Sequence, residues 1–122
     1  MATRYARGGP GDSTAKAIER AVANFFGIRV EELHRKCTGA VALPQQIAMY
    51  LMKQMTDASV REIGQYFGNK YPSNVERSIA KLEEQRYKKD LLDLVVRELL
   101  EHAEMRLARE RRRIRQTHRR AI

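Results

Sequence analysis

The sequence predicts an all-α fold, a small helix-turn-helix bundle with an additional C-terminal helix that ends in an arginine-rich tail. Apolar residues recur at spacings of three and four along most of the chain, which is the periodicity of amphipathic helices. Two segments with helix-capping signals are separated by a short glycine-containing turn, the arrangement of a helix-turn-helix. Residues 106–120 hold eight arginines and one glutamate, so most of the formal charge of +9 lies near the C-terminal end.

The length of 122 residues suits one small domain with appendages. Residues 1–13 are a predicted flexible leader, because their glycine, proline and polar residues bury too little apolar surface to order the backbone. The rest divides into a helix-turn-helix DNA-binding domain, residues 14–86, and a C-terminal helical extension with a basic tail, residues 87–122. Since Cys37 is the one cysteine and no apolar run approaches the ~20 residues that span a bilayer, we expect a cytoplasmic protein without membrane contact.

The first half of the chain has three predicted helical segments. The first begins at Ser13 or Thr14, either of which can cap the exposed amide groups, and ends at Gly27. Residues 30–36 form a short helical turn, and a third helix begins near Pro44, since proline fits the first turn of a helix. The apolar positions that carry the helical period are Ile18, Val22, Phe25, Phe26, Val30, Leu33, Ile47, Ala48, Leu51, Met52 and Met55.

The next segment carries the helix-turn-helix signal. Ser59 and Glu62 have the spacing of a capping box, in which the hydroxyl accepts from an amide and the carboxylate accepts from the cap's own amide. The helix that begins there ends at Gly68, which tolerates the backbone of a sharp turn. A second helix begins near Pro72, with Ser73 as its predicted cap. The apolar positions of this second helix that we expect to face the core are Val75, Ile79 and Leu82.

A last helix is predicted from Leu91 or Leu92 onward, continuing into the arginine-rich end. We expect no core contact for that end, in which Leu107 and Ile114 are the large apolar residues. The apolar stripe at the start of this helix is a candidate surface for a homodimer. The stripe consists of Leu92, Val95, Val96 and Leu99.

The polar face of the helix that begins near Pro72 suits base edges and phosphates, so double-stranded DNA is the predicted partner. Asparagine can make two hydrogen bonds to adenine and arginine two to guanine, whereas a merely solvated polar face is the alternative. The predicted base-reading residues are Ser73, Asn74 and Arg77. The predicted phosphate contacts are Lys53, Arg61, Lys70 and Lys81, with Arg109, Arg112 and Arg113 of the tail adding affinity for any sequence.

Other functions are weighed against DNA binding. The chain is not predicted to be an enzyme, because His34, His102 and His118 are scattered without a carboxylate cluster, and no cofactor is expected. His34 and Cys37 form half of a possible metal site without a second pair, so we expect no metal and a solvated histidine beside a structural thiol. A protein-interaction adaptor that uses the C-terminal helix, or an RNA-binding arm formed by the tail, are the alternatives.

Three stretches carry a resemblance to a known family: AVANFFGI at 21–28, VALPQQIAM at 41–49, and SVREIG at 59–64 with FG at 67–68. The region 18–86 that contains them resembles domain IV of DnaA, the DNA-binding domain of the bacterial chromosomal replication initiator. That domain is a Trp repressor-like helix-turn-helix. The proline-containing helix followed at this spacing by the Glu-Ile-Gly stretch is the most specific part of the match.

The resemblance implies a reader of double-stranded DNA whose helix near Pro72 enters the major groove. It implies that Gln46 and Lys53 lie near the DNA backbone. It also implies that Lys70 precedes the recognition helix as a basic contact and that Lys81 is another within it. The protein would then be cytoplasmic and associated with the nucleoid when bound.

The chain departs from the family pattern at the base-reading signature. The family has Arg-Asp-His-Thr-Thr-Val, and this chain has KYPSNV at 70–75. Gly39 stands near the place of the arginine that enters the minor groove, and Leu43 replaces the arginine beside the helix proline. These differences argue against recognition of the initiator's own site, and they leave replication, transposition and transcription control open as settings.

Overall fold

The computed structural model of the chain describes residues 13–34, 42–68 and 70–121, with side chains up to residue 116. These ranges contain five α-helices, one short 3-10 helix and no strand, which confirms the all-α prediction. The helices are α1 (Ser13–Phe26), α2 (Ala42–Met55), α3 (Val60–Tyr66), α4 (Pro72–Lys88) and α5 (Asp90–Ala121), and the 3-10 helix spans Val30–His34.

The two ends of α1 follow from local chemistry. The helix ends where Gly27 adopts a φ of 67°, in the left-handed region that a residue without a side chain enters at little cost. It begins at Ser13, so the last residue of the predicted leader is helical. Residues 1–12, the remainder of that leader, lie outside the described part of the chain, as do residues 35–41 with Cys37 and Gly39.

The core is built around α2, which packs against α1, α3 and α4. Its apolar residues lie on both sides of the helix because a central helix must bury more than one face. Helix α5 packs along α1 and against α4, and its side chains enter the same core, so the division at residue 86 stays a prediction. The fully buried side chains of α2 include Ile47, Leu51, Met52 and Met55.

The predicted dimer surface on α5 is wrong. Val96 and Leu99 are each 1% exposed, because they pack against the chain's own core. The two other residues of the stripe are partly buried against the same core, so the stripe has no free apolar face to offer a second copy. The stripe residues are Leu92, Val95, Val96 and Leu99.

The arginine-rich end of α5 also contacts the core, contrary to expectation. Leu107 is 3% exposed and Ala103 is fully buried, because α1 lies alongside this part of α5. Ile114, about two helical turns further on, is 55% exposed. The core contact of α5 therefore extends to Leu107, the second residue of the arginine-rich segment.

The capping box at the start of α3 is confirmed. The amide of Glu62 donates to the Ser59 hydroxyl at 3.2 Å, and the amide of Ser59 donates to the Glu62 carboxylate at 2.9 Å. The helix ends before Gly68, whose φ of 97° lies in the left-handed region. Gly64, in the middle of α3, allows the turn to be tight enough for a helix-turn-helix.

Gly64 makes the closest backbone contact of the turn. A Cβ atom at this position would lie 2.3 Å from the carbonyl oxygen of Lys70, which is too short for any real contact. The amide of Lys70 donates to the carbonyl of Gly64 at 2.9 Å, so the chain that leads into α4 lies directly on α3. Only glycine allows this approach.

The N-terminus of α4 differs from the prediction that Ser73 caps it. Tyr71 is the N-cap residue and makes no side-chain capping bond, and Pro72 occupies the first turn. The helix begins before Ser73 because proline holds φ near the helical value and its missing amide needs no partner there. Ser73 lies within the first turn of the helix and is exposed.

A buried polar cluster joins α1, the 3-10 helix and α3. The ring nitrogens of His34 lie 2.8 Å from Oε1 of Glu19 and 2.9 Å from the backbone carbonyl oxygen of Tyr66. The Tyr66 hydroxyl donates to the other oxygen of Glu19, whose side chain is 5% exposed. The prediction that His34 is a solvated histidine is therefore incomplete, because its side chain is 31% exposed but both ring nitrogens have hydrogen-bonding partners.

Arg86 connects the C-terminal end of α4 to two other helices. Its Nε donates to Oδ1 of Asp93 in α5 at 2.5 Å, and its Nη1 donates to the Tyr50 hydroxyl in α2 at 2.7 Å. The hydrogen bond from Arg86 lowers the pKa of Asp93 below its usual value, and Arg97 adds to this effect. The side chain of Arg86 thus links α4 to both α2 and α5.

We expect Gly64→Ala to lower the free energy of unfolding by about 1 to 3 kcal/mol, because the added methyl group forces the backbone at Lys70 to move. Helix propensity alone predicts the opposite sign, a gain of up to about 1 kcal/mol for alanine in a helix interior. Urea denaturation measures which effect dominates. A variant as stable as the wild type, or more so, would contradict the close-contact explanation.

We expect Asp93→Asn to lower the melting temperature near neutral pH, because it removes the carboxylate that Arg86 binds. The folded-state pKa of Asp93 lies below the unfolded value of about 3.9, so its stabilising effect is present above that pH and disappears as the pH falls through the folded-state pKa. The gap between variant and wild type should therefore shrink below about pH 4 in thermal unfolding.

The matched control for this change is Asp90→Asn. Asp90 lies in the same first turn of α5, so it shares any interaction with the helix dipole, but it has no hydrogen bond to Arg86. An equal loss in both variants would assign the effect to the dipole instead of the ion pair.

Candidate nucleic-acid interface

The N-terminal half of α4 presents a polar surface. Val75 and Leu82 point into the core and are fully buried, which turns the opposite side of the helix to solvent. Ile79, the third predicted core position, is partly buried against the same cluster. The predicted base-reading residues all lie on the solvent side as exposed side chains: Ser73, Asn74 and Arg77.

Asn74 and Arg77 lie one helical turn apart and contact each other. Nη1 of Arg77 donates to Oδ1 of Asn74 at 3.4 Å, a long hydrogen bond between exposed groups. The contact leaves further guanidinium donors on Arg77 and the amide donors on Asn74 for another partner. The pair therefore forms one donor-rich surface of the kind that can bond to the edges of purine bases.

The charges along α4 are unevenly distributed. Its first turn contains no acidic residue, so the positive end of the helix dipole is not neutralised by a neighbouring carboxylate of that turn. The glutamates near the other end, Glu83 and Glu84, lie beyond Lys81, and Glu84 pairs with Lys88 at 3.7 Å. Glu76 is exposed just after the first turn, so the part of α4 that suits an anion is its first turn.

The predicted phosphate contacts lie on α2, α3, the turn and α4. Lys53 is exposed near the end of α2, and Arg61 is exposed in the first turn of α3. Lys70 is partly buried in the turn that α3 contacts through Gly64, two residues before α4. The two remaining candidates are Gln46, which is partly buried in α2, and Lys81, which is exposed on α4.

The arginines of the tail lie in a different place. Arg109 and Arg113 line a groove between α1 and α5, to which no residue of α4 contributes, and Arg113 also pairs with Glu110 at 2.7 Å. Arg112 is exposed and does not line that groove. The three tail candidates therefore do not belong to the surface around α4, and only two of them line the groove between α1 and α5.

Sequence reasoning missed several residues that position or extend the interface. Gly64 contacts Lys70 six residues away, and Arg86 bonds to residues seven and 36 positions away. These contacts join different elements, so the pattern within a single helix does not predict them. The basic residues of α1, Lys16 and Arg20, were also missed, although their spacing of four places them on one side of the helix. The sequence shows the spacing of Lys16 and Arg20, but it does not show that arginines of α5 lie opposite them.

The described residues offer little support for other kinds of site. Within them, no group of three or more histidine, cysteine, aspartate or glutamate residues could hold a metal ion. Among the same residues, no helix is both long enough and apolar enough to cross a membrane. Cys37 lies outside this part of the chain, so its prediction as a structural thiol is untested.

Comparisons with known proteins agree with the arrangement of the helices. A model of the family described as "Bacterial dnaA protein helix-turn-helix" matches residues 15–82, which run from α1 into α4. The chain is 38% identical over 79 residues to the chromosomal replication initiator protein DnaA of Bordetella pertussis strain Tohama I, covering 64% of this chain and 17% of that protein.

A second relative is similar to the same extent. The chain is 40% identical over 75 residues to the DnaA protein of Citrifermentans bemidjiense, covering 61% of this chain and 16% of that protein. The chain therefore matches about one sixth of the length of these curated relatives, and most of α5 lies beyond the residues that the family model matches.

Proposed function

The chain belongs to the bacterial DnaA helix-turn-helix family, and from that premise we propose that it binds double-stranded DNA without catalysing a reaction, with the N-terminal half of α4 in the major groove. The observation that carries this proposal is the exposed Asn74–Arg77 pair near the N-terminal end of α4, a helix whose first turn has no acidic residue. An α-helix fits the major groove, where each base pair offers a distinct pattern of donors and acceptors.

In this proposal, three side chains contact the base edges. Arg77 donates two hydrogen bonds to guanine, and Asn74 both donates to and accepts from adenine. Ser73, in the first turn, bonds to whichever donor or acceptor lies nearest. The contact between Asn74 and Arg77 favours one relative orientation of their polar groups, which supports a preferred short sequence.

Phosphate contacts hold the helix in register on the duplex. We assign them to residues from α2, α3, the turn and α4, because these elements pack around the N-terminal half of α4. Arg112 of the tail stays a further candidate, together with Arg109 and Arg113. The assigned residues are Gln46, Lys53, Arg61, Lys70 and Lys81.

The relatives indicate the biological process that this DNA binding serves only in general terms. Those relatives are chromosomal replication initiator proteins, so DNA binding in replication is the first candidate, with transposition and transcription control as the others. A location with the nucleoid follows from DNA binding. The adaptor alternative is weakened, because the apolar stripe that it would use is packed into the chain's own core.

We expect Arg77→Ala to weaken binding to a preferred duplex by about 1 to 3 kcal/mol, or about 5- to 150-fold, and to change binding to a scrambled duplex little. The preferred duplex comes from selection of bound sequences from a random pool. Lys88→Ala is the matched control, since it removes one positive charge from the far end of the same helix. Equal losses on both duplexes would contradict base reading by Arg77.

We expect the affinity for a scrambled duplex to fall steeply with salt. With on the order of five phosphate contacts around α4, the slope of log affinity against log salt should be near −4.5 for this surface alone, and contacts elsewhere on the chain would make it steeper. Lys53→Gln should make that slope shallower by about 0.9, because it removes one contact. Fluorescence anisotropy across a salt series measures both values, and a wild-type slope near zero would rule out the phosphate contacts.

A further inference from the structure

A basic groove runs between α1 and the arginine-rich part of α5. Its volume is about 440 Å³, and the described residues that line it all belong to these two helices. Ala17 and Leu107, which are 7% and 3% exposed, form its floor. The charged residues that line it are Lys16, Arg20, Arg106, Arg109, Glu110 and Arg113.

We propose that this groove is a second DNA-binding surface, which takes the sugar-phosphate backbone of a duplex and reads no bases. It differs from the surface around α4 because no residue of α3 or α4 lines it. The α5 residues of the groove also lie beyond residues 15–82, to which the family model is matched. The choice of DNA, as against another polyanion, rests on the function proposed above.

The charge of the groove calls for an anionic occupant. Of the described residues, five basic side chains and one carboxylate line it, and that carboxylate, Glu110, pairs with Arg113 at 2.7 Å. Within the described part of the chain, no ion pair joins Lys16, Arg20 or Arg109 to an acidic residue. Like charges held on two facing helices repel each other, and a phosphate between them replaces that repulsion with attraction.

The spacing of these charges suits a run of phosphates. Arg106, Arg109 and Arg113 follow one side of α5, and the first and last lie about 10 Å apart along the axis at the helical rise of 1.5 Å per residue. Four successive phosphates of one DNA strand, separated by three steps of about 3.4 Å along the duplex axis, cover a similar length. Lys16 and Arg20 supply a second row on α1.

The other features of the lining favour a duplex backbone over other polyanions. Among the described residues no aromatic side chain lines the groove, so these residues give unpaired bases nothing on which to stack. The apolar residues of its floor are buried, so the described lining offers no exposed apolar side chain to enter the acyl region of a membrane. A paired backbone, which offers phosphates and keeps its bases inside, needs neither feature.

The test compares two pairs of substitutions on α5. Arg109→Gln with Arg113→Gln removes two charges from the groove. Arg111→Gln with Arg115→Gln removes two charges with the same spacing from exposed positions that do not line it. A third variant, Lys16→Gln with Arg20→Gln, removes two charges from the α1 side. Binding of each to a scrambled duplex is measured across a salt series, and circular dichroism checks that the helices are intact.

Both groove variants should make the salt slope shallower by about 1.8, at about 0.9 for each lost contact, and should weaken all duplexes alike. The Arg111/Arg115 variant should retain most of the wild-type slope. Equal effects of the two α5 pairs would overturn the proposal, because net charge alone would then explain binding. An unchanged slope in the Lys16/Arg20 variant would also overturn it.

The failure of this proposal is distinguishable from failure of base reading by α4. The groove variants are measured on a scrambled duplex, whereas Arg77→Ala is judged by the difference between preferred and scrambled duplexes. Structured RNA and vesicles of anionic lipid are measured alongside the duplex. If either competes more strongly than duplex DNA, and loses that advantage in the groove variants, the groove serves that polyanion and the assignment to DNA is wrong.

Discussion

The geometry of the helix-turn-helix depends on one backbone contact, that between Gly64 in α3 and the carbonyl of Lys70 in the turn. A side chain at residue 64 would need the space that this carbonyl occupies, 2.3 Å from the position of a Cβ atom. Because the turn lies directly on α3, α4 leaves it in a single direction. The exposed residues of α4 are therefore presented by a rigid element, which is what recognition of base edges requires.

Two polar clusters hold this unit on the rest of the bundle. At one end, Glu19 and His34 bind the hydroxyl and carbonyl groups of Tyr66, the last residue of α3. At the other end, Arg86 binds Asp93 of α5 and Tyr50 of α2. Buried or half-buried polar groups of this kind need specific partners, so they define the position of a helix more narrowly than apolar packing does.

The two candidate surfaces suit different parts of DNA, the base edges and the phosphates. Base edges present directional donors and acceptors, so the surface on α4 needs a few side chains in a fixed orientation. Phosphates present charge that is the same for every sequence, so the groove between α1 and α5 needs only positive charge at a suitable spacing. Three of the eight arginines of residues 106–120 line this groove, where any sequence would satisfy them.

The sequence by itself determined the features that arise within a few residues. These were the helical periodicity, the capping box of Ser59 and Glu62, the break at Gly27, and the polar face of the helix that begins at Pro72. Only the tertiary structure decided that the stripe of α5 packs inside the molecule, that the ring of His34 meets Glu19 and Tyr66, and that Lys16 and Arg20 face the arginines of α5. A hydrogen bond within one helical turn depends on neighbours in the chain, whereas burial and charge clustering depend on which faces of distant helices meet.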